Sequence, residues 1–237
     1  MKKIGILFGI LLLIALTPLS LVGCAEKNDA YAAETIERWT TAYTAGEFGI
    51  RSKKDPFVEF AFSTGDKIRV ELYPSVAPIS VENFLRYVKD GFYTNVAFHR
   101  VIAGFMIQTG GFEDKEGKLV QKTPTYPAIK GEFRVNGVRN DLSHKRGVIS
   151  MARTTVKDSA TSQFFICSEI SAENIVALDG NYAAFGRVID EESMAVVIKF
   201  EQLETGSSTL YYGDTPVTSK DVPTTVVKIT KATAYKI

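Results

Sequence analysis

Cysteine and histidine are scarce: the 237 residues hold two of each. That supply is too thin for a zinc site built from protein ligands, and a structural disulfide would consume both cysteines. Nothing in the chain is strongly basic either. The formal net charge is +1, and no Lys/Arg cluster or basic face stands out, which argues against nucleic acid as a partner. Tryptophan occurs once, at Trp39, and there is no internal repeat or low-complexity stretch. What remains is ordinary for a globular protein, 45% hydrophobic and 23% charged, with length for one domain and its attachments.

The charge and the apolar residues are unevenly placed at the start. "MKKIGILFGILLLIALTPLSLVGCAEKNDA" opens on Lys2 and Lys3 and then runs apolar from Ile4 to Gly23. Two readings fit such a run, an uncleaved membrane-spanning helix and an export signal. Pro18 and the tetrapeptide Leu21-Val22-Gly23-Cys24 favour the signal, because that tetrapeptide resembles the lipobox of bacterial lipoproteins. The resemblance implies removal of residues 1–23 and acylation of Cys24 with more than one chain, enough for stable anchoring. The expected product is exported and lipid-anchored to a membrane of the bacterial cell envelope. Losing Lys2 and Lys3 leaves 26 basic against 27 acidic residues. Residues 24–54 then form the lipidated N-terminus and a tether, with a possible helix near 32–45 stopped by Gly46. Lipidation of Cys24 leaves Cys167 alone, so no disulfide is expected, and Cys167 reads as a small buried hydrophobe after "QFFI".

Residues 55–237 carry the periodicities of a folded domain. "FVEFAFS" (57–63) and "KIRVELY" (67–73) alternate apolar and polar around Thr64-Gly65-Asp66, a hairpin signal. "PISVENFLRYVKDGF" reads as a helix, with Ser80 as N-cap, Glu82 in the first turn, an apolar face of Val81, Phe84, Leu85 and Val88, and Gly91 as its stop. Short strands follow at 97–102, 105–108, 147–151, 163–167, 183–189 and 223–234, and a second helix spans 191–203. Eight strands and two helices predict a mainly β fold, a closed antiparallel eight-stranded barrel capped by a helix at each end. The stretches "QKTPTYPAIKGEF" and 204–223 read as solvated loops.

Three stretches carry the chemistry: "FHRVIAGFMIQTGG", "GVISMARTTVKDSATSQFFI" and "LDGNYAAFGRV". In identity, order and spacing they resemble the signatures of cyclophilins, the peptidyl-prolyl cis–trans isomerases, and the resemblance runs over residues 55–237. It implies that the domain isomerises X–Pro bonds in proline-containing peptides, assists the folding of exported client proteins and works as a monomer without cofactor or metal. Physical chemistry agrees. Rotation about an X–Pro bond faces a barrier of roughly 18–20 kcal/mol from amide resonance, and no covalent bond is broken. A site must offer an oily pocket for the pyrrolidine ring and donors aimed at the twisted imide.

By resemblance, Arg100 is the donor fork toward the prolyl carbonyl. Gln108 and Gln163 orient it and the surrounding backbone. Phe105, Met106, Phe165 and Leu178 wall the proline pocket, Tyr182 closes its edge, and Ala152 lies beside the residue that precedes proline. Each apolar member taken singly is equally consistent with core packing, and an arginine on a strand with a salt bridge. His99 is expected to point away from Arg100 by strand alternation, as a structural histidine. His144, with Ser143 and Asp141 beside it, is discounted as a hydrolytic triad, since neighbours in one loop rarely converge.

The chain departs from its resemblance in places. Ala177 stands where many members carry tryptophan or phenylalanine, which implies a lower pocket wall and weak cyclosporin binding. Tyr182 replaces a histidine, and Arg153 an asparagine. Ala177 and the altered 153–158 loop leave a second reading, a proline-peptide-binding chaperone or scaffold module with little turnover.

Overall fold

The computed structural model describes Arg51 and residues 54–235. The expected export signal 1–23, Cys24, Trp39 and the helix near 32–45 lie outside the described residues.

The first hairpin forms where the alternation places it. Strands β1 (Phe57–Phe62) and β2 (Lys67–Leu72) pair antiparallel, Phe57 opposite Glu71 through Ala61 opposite Lys67. Gly65 takes φ 85° in the turn, a conformation that side chains disfavour. Val58, Phe60 and Phe62 point inward, and the ring of Phe60 stacks on Phe164 with centroids 5.5 Å apart. Phe84, Tyr93 and Phe185 complete an aromatic core in which every ring is fully buried. Core aromatics of this kind dominate burial energetics, which suits a domain without a disulfide.

Strands β3 (Val96–Ala97), β4 (Arg100–Ile102), β5 (Met106–Thr109), β6 (Phe112–Lys115) and β7 (Lys118–Gln121) follow, then β8 (Val148–Met151), β9 (Phe164–Cys167) and β10 (Ala184–Val188). The C-terminal part adds β11 (Thr205–Tyr212), β12 (Thr215–Pro223) and β13 (Ile229–Tyr235). Eight of these form one sheet in the order β13-β1-β2-β10-β8-β9-β5-β4. The expected closed barrel is therefore corrected to a curled, open one. Among the described residues its edges meet through local links: an isolated bridge between Ala97 and Lys228, Phe98 N–H donating to the Val227 carbonyl at 3.1 Å, and Asn95 N–H donating to the Ile229 carbonyl at 2.8 Å. The reason is that the expected strand 97–102 breaks at Phe98-His99 into β3 and β4, so no continuous ladder can form there.

A second, five-stranded sheet, ordered β12-β11-β7-β6-β3, was not foreseen. The segment 204–223 is thus a hairpin and not a solvated loop. Two buried residues, Leu210 and Val222, fix it in a small apolar cluster with Phe112 and Leu119.

Among the described residues three α-helices stand where two were expected: α1 (Pro78–Lys89), α2 (Ala172–Leu178) and α3 (Glu191–Glu201). Ser80 is not the N-cap of α1. Ala77 holds that position, Pro78 opens the helix, and no acidic residue lies in the first turn. The orphan N–H groups are met instead by the buried Glu132, which accepts from Ile79 N at 3.0 Å and from Ser80 N and Oγ at 2.7 Å each. Helix α3 matches expectation and is capped by Asp190, whose side chain accepts from Ser193 N at 2.6 Å. Helix α2 spans only seven residues, too few for periodicity to reveal.

Candidate functional site

Arg100 sits on β4 opposite Gln108 on β5, and Gln108 in turn sits opposite Phe165 on β9. Register alone therefore lines up three of the expected residues across adjacent strands. The structure brings all nine together along one groove of about 270 Å³. Its floor is an apolar cluster separate from the main core, in which Met106, Phe165 and Leu178 are buried and Phe105, Ala152 and Tyr182 half-buried. Cys167 belongs to the same cluster, fully buried, and burial pushes its thiol up, as an inert hydrophobe requires.

Arg100 is half-buried on the rim and, among the described residues, its side chain makes no hydrogen bond and no ion pair. A guanidinium with five donors held over an oily notch, with none of them used, is available to an incoming acceptor.

The amides behind it are tied together: Gln108 Nε2 donates to Gln163 Oε1 at 3.1 Å. Two glycines permit this approach. Gly110, at φ 91°, lets its backbone pass beside Ser162, and a Cβ on Gly111 would lie 2.4 Å from Gln163 Nε2. The loop that presents Phe105 is fastened from beneath by Glu201, which accepts from Gly104 N at 2.7 Å and from Ser168 Oγ at 2.6 Å.

Two histidines border the site in ways the sequence did not convey. His99 does not point away from Arg100; it lines the same groove, because the chain between β3 and β4 is not a strand and alternation fails there. Its ring packs on Phe112 at 4.7 Å and its Nδ1 has no hydrogen-bond partner. Burial lowers its pKa to about 4, helped by the Arg100 charge and opposed by the nearby Ala97 carbonyl and Gln163 amide. His144 makes triad-like contacts, Nδ1 to Asp179 Oδ1 at 2.8 Å and Nε2 to Ser150 Oγ at 2.9 Å, but not with Ser143 and Asp141. Ser150 is fully buried, so no substrate reaches its hydroxyl. The His144 ring lies nearly parallel to Phe165 at 6.0 Å and so backs the pocket floor.

Arg153 is fully committed. It stacks on Phe133 and Tyr182, with the guanidinium carbon 5.0 and 4.6 Å from the ring centres, and donates to the carbonyls of Asn181 and Thr154. It thereby holds Tyr182 at the pocket edge. Ala177 is exposed and contributes nothing to the groove lining. Three further residues do line it, Leu210, Tyr212 and Ser219, all from the β11–β12 hairpin. The one signal for them in the sequence was Gly213-Asp214, a two-residue turn between short apolar runs.

Comparison with known proteins places this geometry. Residues 57–234 match the family described as cyclophilin type peptidyl-prolyl cis-trans isomerase/CLD. The chain is 43% identical over 151 residues to a peptidyl-prolyl cis-trans isomerase of Acinetobacter baylyi, covering 63% of this chain and 74% of that one. It is 39% identical over 160 residues to peptidyl-prolyl cis-trans isomerase B of Escherichia coli, covering 65% and 89%. Among solved structures, a cyclophilin type isomerase of Cryptosporidium parvum shares the fold at a TM-score of 0.56 with 22% identity, over 77% of this chain and 99% of its own. The same fold is seen in a crystal structure of that Cryptosporidium protein in the presence of the dipeptide Ala-Pro, at a TM-score of 0.55 and 23% identity, over 76% of this chain and 99% of its own.

Proposed function

The chain belongs to the cyclophilin-type peptidyl-prolyl cis–trans isomerase family, and from that premise we propose how its groove accelerates rotation about an X–Pro bond. The enzyme is an isomerase of that class. Proline-containing peptides are its substrates, and the pyrrolidine ring enters the notch formed by Phe105, Met106, Phe165 and Leu178, with Tyr182 as its edge. The residue before proline lies against Ala152, whose small side chain leaves room for the backbone. Arg100 donates to the prolyl carbonyl and favours the pyramidal, amine-like nitrogen that appears only when resonance is lost. Gln108 and Gln163 hold the neighbouring dipoles in place. Donors set in advance against a geometry present only at the top of the barrier stabilise the transition state more than either planar form. The single observation that supports this most is the unpaired guanidinium of Arg100 above an apolar notch.

The setting is the cell envelope. Lys2, Lys3, the apolar run to Gly23 and Leu21-Val22-Gly23-Cys24 support export and acylation of Cys24, so the enzyme acts on exported client proteins from a lipid anchor. The test of the reaction is exchange spectroscopy of an Ala-Pro-containing peptide with catalytic amounts of the protein. Cis–trans exchange faster than the uncatalysed tens to hundreds of seconds is the expected result. A peptide that binds without faster exchange would overturn the mechanism.

A further inference from the structure

The β11–β12 hairpin contributes one wall of the groove, and the proposal that follows rests on the isomerase reading above. The strand register sorts its side chains. Leu210 faces Val217 across the hairpin and Tyr212 faces Thr215, and directly opposed residues share a face. Leu210, Tyr212 and Ser219 line the groove, so Val217 lies on the groove-facing side with them. Leu210 is spent in the small cluster that fastens the hairpin. Tyr212 and Val217 are not: they are 42% and 43% exposed, two of the few large apolar side chains left open to water. Tyr212 is nonetheless held in position, its ring edge-on to Phe112 at 5.2 Å, and Phe112 in turn packs on His99 in the groove wall. An oriented but half-exposed aromatic beside an exposed valine, continuous with the proline groove, is a surface prepared for an apolar side chain.

The sheet order says which side chain. Ala152 follows β8, and Arg100 lies on β4, with β9 and β5 between them. A peptide with the residue before proline on Ala152 and its prolyl carbonyl on Arg100 therefore leaves the groove past β4. The hairpin packs on that strand.

We propose that the hairpin forms a subsite for the residue that follows proline, and that Tyr212 and Val217 select peptides with an aromatic or branched aliphatic side chain there. Among the described residues the groove lining includes no carboxylate, and its second cation, Arg153, is already paired.

The experiment is exchange spectroscopy with the whole protein on four peptides, Ala-Ala-Pro-Xaa-Ala, in which Xaa is Phe, Leu, Gly or Asp. The expected kcat/KM for Phe and Leu exceeds that for Gly and Asp by about fivefold or more, the effect of burying part of one apolar side chain. Tyr212→Ala and, independently, Val217→Ser flatten this preference. Val217→Ser serves as the second variant because it leaves the Tyr212–Phe112 contact untouched. Thr218→Ala, on the opposite face of the hairpin, retains the preference. A wild-type enzyme indifferent to Xaa, or a preference that survives both variants, overturns the subsite while leaving the isomerase standing. If all four peptides exchange at the uncatalysed rate, the isomerase reading itself falls and the subsite falls with it.

Discussion

Gln108 and Gln163, 55 residues apart in sequence, share one hydrogen bond at 3.1 Å immediately behind the unpaired guanidinium of Arg100. Two planar amides fixed to each other have their remaining donor and acceptor atoms fixed as well. The pair is thus a unit and not two independent contributors. Gln108→Ala and Gln163→Ala are each expected to lower kcat/KM by about tenfold, the value of a hydrogen bond and the order it imposes. The double variant is expected to be no worse than the poorer single one, because one interaction cannot be lost twice. Steady-state kinetics of the three proteins check this, and additive losses would show the two amides acting separately.

Helix α1 depends on a side chain far from it. Glu132 supplies three acceptor contacts to the backbone and hydroxyl of its first turn. Glu132→Ala leaves those buried donors without partners, and the expected loss is about 2–3 kcal/mol of unfolding free energy. Denaturant unfolding measures it. Activity at low temperature is expected to change little, since Glu132 does not line the groove.

Acid should loosen the fold from the site outward. His99 takes up a proton at about 4 in the folded chain, because burial disfavours its charged form. In the unfolded chain a histidine does so near 6.5. Between these values unfolding takes up a proton, so the contribution of neutral His99 is complete above about pH 6.5 and is lost as the pH falls toward 4. His144 shifts in the same direction, lowered by burial despite the Asp179 carboxylate. The expected cost attributable to His99 is roughly 3 kcal/mol by pH 4. Thermal unfolding across pH 4–7 tests it, and His99→Gln is expected to flatten the profile.

The first strand of the large sheet was legible because it buries chiefly one face. Val58, Phe60 and Phe62 alternate with less buried neighbours, and period 2 follows. The second sheet was not, because its members bury too little. β6 reads Phe-Glu-Asp-Lys with one buried residue, and β11 buries only Leu210 in eight. Alternation also misplaced His99, since it presupposes a continuous strand where the chain in fact breaks. The groove residues were found through motif resemblance, while Tyr212 and Ser219 arrive from a hairpin that no motif covers. The cap of α1 escaped for a related reason. A local rule chose Ser80, but a carboxylate 52 positions away took the task.

The proposed anchor is open to a direct chemical test. In a bacterium that expresses the whole chain, labelled palmitate should enter the protein and the protein should sediment with membranes. Cys24→Ser should abolish both and leave the full-length precursor. Labelling that persists in the variant would contradict acylation at Cys24.

The proposed mechanism requires Arg100 to hold the half-rotated imide more firmly than either planar form. Arg100→Ala should therefore lower kcat/KM by about 100-fold, the size of losing one preorganised charged donor. The Kd of the ground-state peptide, measured by titration in the same protein, should move by no more than about threefold, since the notch of Phe105, Met106 and Phe165 is intact. A Kd weakened as much as kcat/KM would mean that the arginine merely binds peptide, and an unchanged kcat/KM would mean that it does nothing for the reaction.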